Sequence, residues 1–172
     1  MNRWTGHRDG KEERIMAEQK ILVIDDDPVV AKSCHRVLTA EGYKVDTALS
    51  AQNGLERALQ NDFDLVITDL RMPDLDGMEV VRRIAGEKPF TPVVVITGYG
   101  TIQSAVEATK LGAHEYVEKP FTPELLLQVV DELLKVDEEK PQESREARLS
   151  EYFVVREALR AEEYSPGYPA DV

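Results

Sequence analysis

Cysteine is almost absent: Cys34 is the only one in 172 residues. A lone cysteine excludes an intramolecular disulfide framework and a thiolate zinc cluster. The three histidines, His7, His35 and His114, are scattered without metal-ligand spacing, and all three read as surface or helix-face residues. Basic residues are the minority, 21 against 33 acidic, for a formal net charge of -12. A nucleic-acid groove needs clustered Lys and Arg, so direct nucleic-acid binding is not expected. No apolar run approaches a membrane span, and the N-terminus lacks the apolar core of a signal peptide. The expected location is cytoplasmic, without a membrane partner. No glycine-rich phosphate loop follows the first apolar run, which disfavours a nucleotide-binding module.

What is there is an ordinary soluble-domain composition, 42% hydrophobic and 31% charged, in a chain long enough for one good core with some residues left over. Most of the acidic excess reads as solvated surface, and part of it as carboxylates gathered at a cation site. The stretch Asp64 to Gly77, DLVITDLRMPDLDG, organises the rest. Leu65, Val66 and Ile67 form a short apolar run that reads as a strand buried on both faces. It leaves the core at Thr68-Asp69, and Pro73, Asp74, Asp76 and Gly77 then supply turn chemistry.

Other runs repeat this plan. Ile21-Leu22-Val23-Ile24 is a buried strand ending in Asp25-Asp26-Asp27-Pro28. Asp27 before Pro28 is an N-cap and N1 pair, which leaves Asp25 and Asp26 to explain. The helix that follows carries Val30, Cys34, Val37 and Leu38 on one face and stops at Gly42; Cys34 therefore reads as a small core residue. Tyr43 to Ala48 alternates as an edge strand would, and Ser50 caps a helix with Ala51, Leu55, Ala58 and Leu59 inward. After the strand ending at Asp69 comes a helix carrying Val80, Val81 and Ile84. Pro92 opens a fourth strand, Val93 to Ile96, ending in Thr97-Gly98. Ile102, Ala105, Val106 and Leu111 mark the next helix, which Gly112 ends. Tyr116-Val117-Glu118 is a fifth strand leading to Lys119-Pro120, and Thr122-Pro123-Glu124 caps a last helix with Leu126, Val129, Val130 and Leu133 inward.

Five β-then-α units with continuous apolar strands call for a parallel sheet with helices on both faces and right-handed crossovers. Asp25 and Asp26 then end the first strand, Asp69 the third, Thr97 the fourth and Lys119 the fifth. In an open α/β sheet, chemistry collects at such strand ends. All five residues meet on one rim if strands one, three, four and five are neighbours, and the alternating second strand is then the edge.

LVIDDDP, VITDLRMPDLDG, VITGYG and YVEKPF, in that order and spacing, resemble the receiver domain of two-component response regulators. The resemblance covers about Lys20 to Val136, and the wording of Pro89 to Phe121 is nearest to receivers of the nitrogen-regulator type. It implies a doubly wound five-stranded sheet of order 2-1-3-4-5, the flavodoxin-like order. It also implies that Asp69 is the phosphoacceptor, taking a phosphoryl group from a sensor histidine kinase or a His-containing phosphotransfer protein. Mg2+ would be held by Asp26, Asp69 and the backbone carbonyl of Arg71, with Asp25 acting partly through water. An all-oxygen site suits that ion. Lys119 and Thr97 would assist the transfer, Thr97 and Tyr116 would act as the switch, and Lys119-Pro120 would be a cis peptide. Tyr116 as a static amphipathic surface residue is the plainer alternative. Arg71 and Tyr99 occupy positions that tune phosphate lifetime in this family. The downstream protein target is not specified, and a phosphorylation-dependent dimer is among the states implied.

The resemblance makes the protein a switch and not a turnover enzyme. Two other readings stand beside it. One is a phosphorylation-independent scaffold of the same fold. The other is a Mg2+-dependent phosphatase with an Asp nucleophile, but such enzymes carry a second Asp two residues later, where this chain has Arg71. Residues 1–19 are polar, without apolar periodicity, and read as a disordered extension, with Met16 a natural alternative start. Beyond the receiver domain at 20–136, residues 137–172 read as an acidic linker, a helix at about 143–163 and a disordered tail. That helix reads as a loosely docked extension or, more sharply, as a dimer contact or docking segment. The 36 residues after Val136 are too few for an ATPase domain and a helix-turn-helix, so the expectation is a stand-alone receiver without an effector.

Overall fold

Short apolar runs become strands here because each is sealed on both sides by helices. The computed structural model describes residues 19–134. Its elements are β1 (Lys20–Ile24), α1 (Pro28–Ala40), β2 (Lys44–Ala48), α2 (Ala51–Gln60), β3 (Leu65–Thr68), α3 (Gly77–Glu87), β4 (Val93–Thr97), α4 (Ile102–Leu111), β5 (Glu115–Glu118) and α5 (Pro123–Leu134). The strands form one sheet of order β2-β1-β3-β4-β5, parallel throughout. This is the doubly wound order the motifs imply, with the alternating strand at an edge. Among the described residues no helix is long and apolar enough to cross a membrane.

Alternate side chains of the strands feed two cores. Ile21, Val23, Leu65, Ile67, Val94 and Ile96 pack with Cys34 and Leu38 of α1 and with Leu126, Val129, Val130 and Leu134 of α5. Leu22, Ile24, Val66, Val93 and Val95 pack on the other face with Leu55 and Ala58 of α2, Val80, Val81 and Ile84 of α3, and Ala108 of α4. Burial pushes the Cys34 thiol up to about 11, which suits an inert core residue. Helix ends follow their local chemistry: Asp27 caps α1 through the Val29 amide, Ser50 caps α2 through Asn53, and the Thr122 hydroxyl accepts from Leu125 in the first turn of α5. Gly42 and Gly112 take φ of 99° and 124° where α1 and α4 end, a region that penalises any Cβ.

Several expectations need correction. Tyr43 precedes β2 and is buried, with its hydroxyl donating to Asp131 of α5. In α4 two of the four apolar residues that mark the helix do not face the core: Ile102 is 88% exposed and Val106 46%, whereas Leu111 is half-buried and packs against the core beside the fully buried Ala108. Leu59 and Leu133 are half-buried at the margins of the two cores. His35 lies exposed on α1. His114 is on neither surface nor helix: it stands before β5, half-buried, and its Nδ1 accepts from the Val93 amide. The expectations for residues 1–18, including His7, and for everything after Leu134 fall outside the described residues.

Candidate functional site

Strand register assembles the site. Ile24 pairs with Thr68, so the next residues, Asp25 and Asp69, leave the sheet side by side, and the Asp69 amide donates to the Ile24 carbonyl at 3.0 Å. Thr97 pairs with Glu118, which brings Lys119 next to Thr97, whose carbonyl accepts from the Lys119 amide at 2.9 Å. The peptide between Lys119 and Pro120 is cis.

The side chains then converge. Lys119 Nζ donates to Asp25 Oδ2 at 2.7 Å and to Asp69 Oδ2 at 2.9 Å. Asp25, Asp69 and Thr97 are buried, while Asp26 is exposed at the rim. Each of Asp25, Asp26 and Asp69 offers an oxygen, and these oxygens lie within 4.8 Å of one another. Two carboxylates about 5 Å apart repel by roughly 3 kcal/mol at an effective dielectric near 20. Lys119 relieves part of that repulsion, and a divalent cation would relieve the rest. Carboxylate oxygens without sulfur or imidazole nitrogen fit Mg2+.

Electrostatics of the cluster follow from burial and pairing. Burial raises Asp25 above the usual carboxylate range, and the hydrogen bonds from Lys119 and from the Asp27 amide only partly offset it. For Lys119 burial acts against the ammonium, but the bonds to Asp25 and Asp69 outweigh it and raise the group above an ordinary lysine. Asp69 is held rigidly: its Oδ1 accepts from the Leu70 amide at 2.6 Å and the Arg71 amide at 3.3 Å. The Thr68 hydroxyl donates to the Asp69 carbonyl at 3.0 Å.

The switch candidates sit beside this cluster. Thr97 Oγ1 accepts from the Tyr99 amide at 3.2 Å, and the Tyr99 ring lies under the Arg71 guanidinium, 4.5 Å from centroid to carbon. Tyr116 is half-buried against the α2–α3 side of the sheet. Its hydroxyl is 2.8 Å from Ser104 Oγ of α4, and Ser104 completes a capping box with Thr101.

Two residues of the loop after β3 do more than make a turn. Gly77 has an ordinary negative φ, but an added Cβ would lie 2.2 Å from the Asp69 carbonyl oxygen and 2.4 Å from Leu70 Cα. It is glycine because the start of α3 lies against the backbone that carries Asp69. Asp74 reaches across to α2, where its Oδ1 accepts from the Ala51 amide at 3.1 Å and its Oδ2 from Gln52 at 2.8 Å. Those partners are more than twenty positions away, so no local pattern signals the contact.

The chain matches the family model for the response regulator receiver domain over residues 21–131. It is 37% identical over 139 residues to the transcriptional regulatory protein GlrR of Escherichia coli, covering 81% of this chain and 30% of that protein. It is 38% identical over 121 residues to the C4-dicarboxylate transport transcriptional regulatory protein DctD of Pseudomonas aeruginosa, covering 70% of this chain and 26% of that one. The chain thus spans less than a third of the length of these two relatives. Among solved structures, a CheY-like receiver domain protein from Methanospirillum hungatei aligns with a TM-score of 0.69 at 31% identity, covering 72% of this chain and 99% of that one. The beryllofluoride-activated NtrC4 receiver domain dimer aligns at 0.64 and 34% identity, covering 67% and 96%.

Proposed function

The chain belongs to the response regulator receiver family, and from that premise we propose that it is a phosphoacceptor switch charged at Asp69. The donor is a phosphohistidine on a sensor histidine kinase or a His-containing phosphotransfer protein. Asp69 attacks phosphorus, so a P–O bond forms as the P–N bond breaks. The electron pair returns to the departing imidazole, which takes a proton from solvent. A carboxylate nucleophile needs no general base near neutral pH.

Asp26, Asp69 and the Arg71 carbonyl are the proposed Mg2+ ligands, with Asp25 acting partly through water. When bound, the ion neutralises charge on the phosphoryl oxygens. Lys119 follows the charge from the Asp69 carboxylate onto the phosphoryl group it has accepted. The Thr97 hydroxyl, which accepts from the Tyr99 amide, donates to a phosphate oxygen, and Tyr116 responds behind it. Water later attacks the acyl phosphate and returns Asp69 to its free carboxylate.

The observation that carries this reading is the Lys119 ammonium bridging Asp25 and Asp69 at the joined ends of three strands. Intact mass after incubation with acetyl phosphate is the test. One phosphoryl mass is expected on the wild type with Mg2+, none without Mg2+, and none on Asp69→Asn. If a histidine-kinase donor also fails to label Asp69, the phosphorylation-independent scaffold replaces this reading. Turnover of phosphate esters is not part of the proposal, because the residue two after Asp69 is Arg71, stacked on Tyr99.

Output runs through protein–protein contacts. Tyr99, Ile102 and Val106 are exposed on and before α4, an apolar surface next to the switch. A phosphorylation-dependent dimer is one such contact, supported by the activated NtrC4 receiver having been solved as a dimer. Light scattering with and without beryllofluoride tests it; an unchanged mass rules the dimer out.

A further inference from the structure

The loop after β3 is pinned at both ends but free in between unless something holds it. At its start, Asp69 receives the Leu70 and Arg71 amides. At its end, the Gly77 amide donates to the Leu70 carbonyl at 2.9 Å and Asp76 caps α3. Leu70 and Met72 are buried in the core beneath. Beyond the Arg71 guanidinium over the Tyr99 ring, the exposed middle is tied to a distant element by the Asp74 carboxylate on α2. Ser50 takes the third amide of that helix, Asn53, at 3.3 Å. The first three amides of α2 are therefore shared between its own cap and a side chain from the loop that carries the phosphoacceptor.

We propose that Asp74 is a positioning residue for the metal-dependent reaction: by clamping its loop to α2, it fixes where the Arg71 carbonyl stands relative to Asp25, Asp26 and Asp69. An N–H pair at a helix N-terminus is a strong partner for a carboxylate, since charge, dipole and two hydrogen bonds act together. The amides of Gln52 and Ala51 hold Asp74 below the usual carboxylate range, so the tether stays charged across neutral pH. Removing it leaves every proposed ligand in the chain but loses the bonds that hold the segment from Pro73 to Leu75, just after the Arg71 carbonyl, to α2. The inference rests on the reading of Asp69 and the Arg71 carbonyl as metal ligands.

Two readouts on the full chain separate positioning from mere stability. The first is Mg2+ affinity by calorimetry for wild type, Asp74→Ala, Asp74→Asn and Ser50→Ala. Asp74→Ala is expected to weaken Mg2+ binding about tenfold, the low end for groups that orient ligands. Asp74→Asn, with one oxygen left to accept, falls in between. Ser50→Ala loosens the same helix end without touching the loop and should leave the affinity unchanged. The second readout is amide exchange of residues 70–75 without metal, expected to be faster in Asp74→Ala than in Ser50→Ala. Equal affinity in wild type and Asp74→Ala overturns the proposal. If the wild type itself does not bind Mg2+, the metal-site reading has failed, and the exchange comparison alone then decides whether Asp74 clamps the loop.

Discussion

The guanidinium of Arg71 lies over the ring of Tyr99, 4.5 Å from its centroid, and so joins the loop after β3 to the loop after β4. Both residues are exposed, and their backbones are tied to the site: the Arg71 amide donates to Asp69 and the Tyr99 amide to Thr97. A cation–π contact at an exposed site is worth about 0.5–1 kcal/mol. We expect this pair to hinder water approaching an acyl phosphate on Asp69. Arg71→Ala and Tyr99→Ala should each speed decay of phosphorylated protein about two- to fivefold, and the double variant should add little beyond either one. Unchanged decay in both single variants refutes this expectation.

Asp25 governs how metal-free stability depends on pH. Its folded value is raised, mainly by burial, so the folded state holds its proton more tightly than the unfolded state does. The associated stability is present below the ordinary carboxylate range and is lost as pH rises through the folded value. Asp25→Asn cannot lose that proton. In urea unfolding without Mg2+, the variant should gain on the wild type as pH rises above the ordinary carboxylate range, then level off. A difference that stays flat with pH contradicts the assignment.

Gly77→Ala tests close packing beneath Asp69. The new Cβ would sit 2.2 Å from a backbone oxygen, which no side-chain rotation relieves. The variant should lose about 2–3 kcal/mol of stability and take up phosphate from acetyl phosphate more slowly. A wild-type midpoint in urea would show that α3 shifts freely.

Tyr116→Phe and Ser104→Ala remove opposite ends of one hydrogen bond. Tyr116→Phe should cost about 1 kcal/mol and Ser104→Ala more, since it also loses the bond from the Thr101 amide; the double variant should cost less than their sum, because one bond is common to both. Strict additivity in a thermal denaturation cycle would mean the two groups act separately.

Legibility in the sequence varied with how local the cause was. The strands could be read because Ile21 to Ile24, Leu65 to Ile67 and Val93 to Ile96 are buried on both faces, which leaves an uninterrupted apolar run. Asp27-Pro28 and Ser50 could be read because capping acts within three residues. That Asp25, Asp69 and Lys119 meet followed from counting strand ends once the order was known. The inward side of α4 was only partly legible: Leu111 does pack against the core, but the one fully buried residue is the small Ala108, and Ile102 and Val106 face outward. Nor was His114, whose imidazole is fixed by an amide twenty-one positions earlier. Asp74 looked like a turn residue because its two partners belong to another unit of the fold.

The thin attachment of α4, through Ala108 and the half-buried Leu111, has a consequence for the unphosphorylated protein. Helix α3 buries Val80, Val81 and Ile84, each worth about 1.5–3 kcal/mol, whereas α4 fully buries only Ala108 and half-buries Leu111. An element so lightly attached has neighbouring arrangements close in free energy. At a gap of about 1.4 kcal/mol, roughly one molecule in ten occupies the displaced arrangement with no signal at all. Easy movement and a quiet off-state would therefore work against each other in the proposed switch, and its basal leak is expected to follow how little of α4 reaches the core.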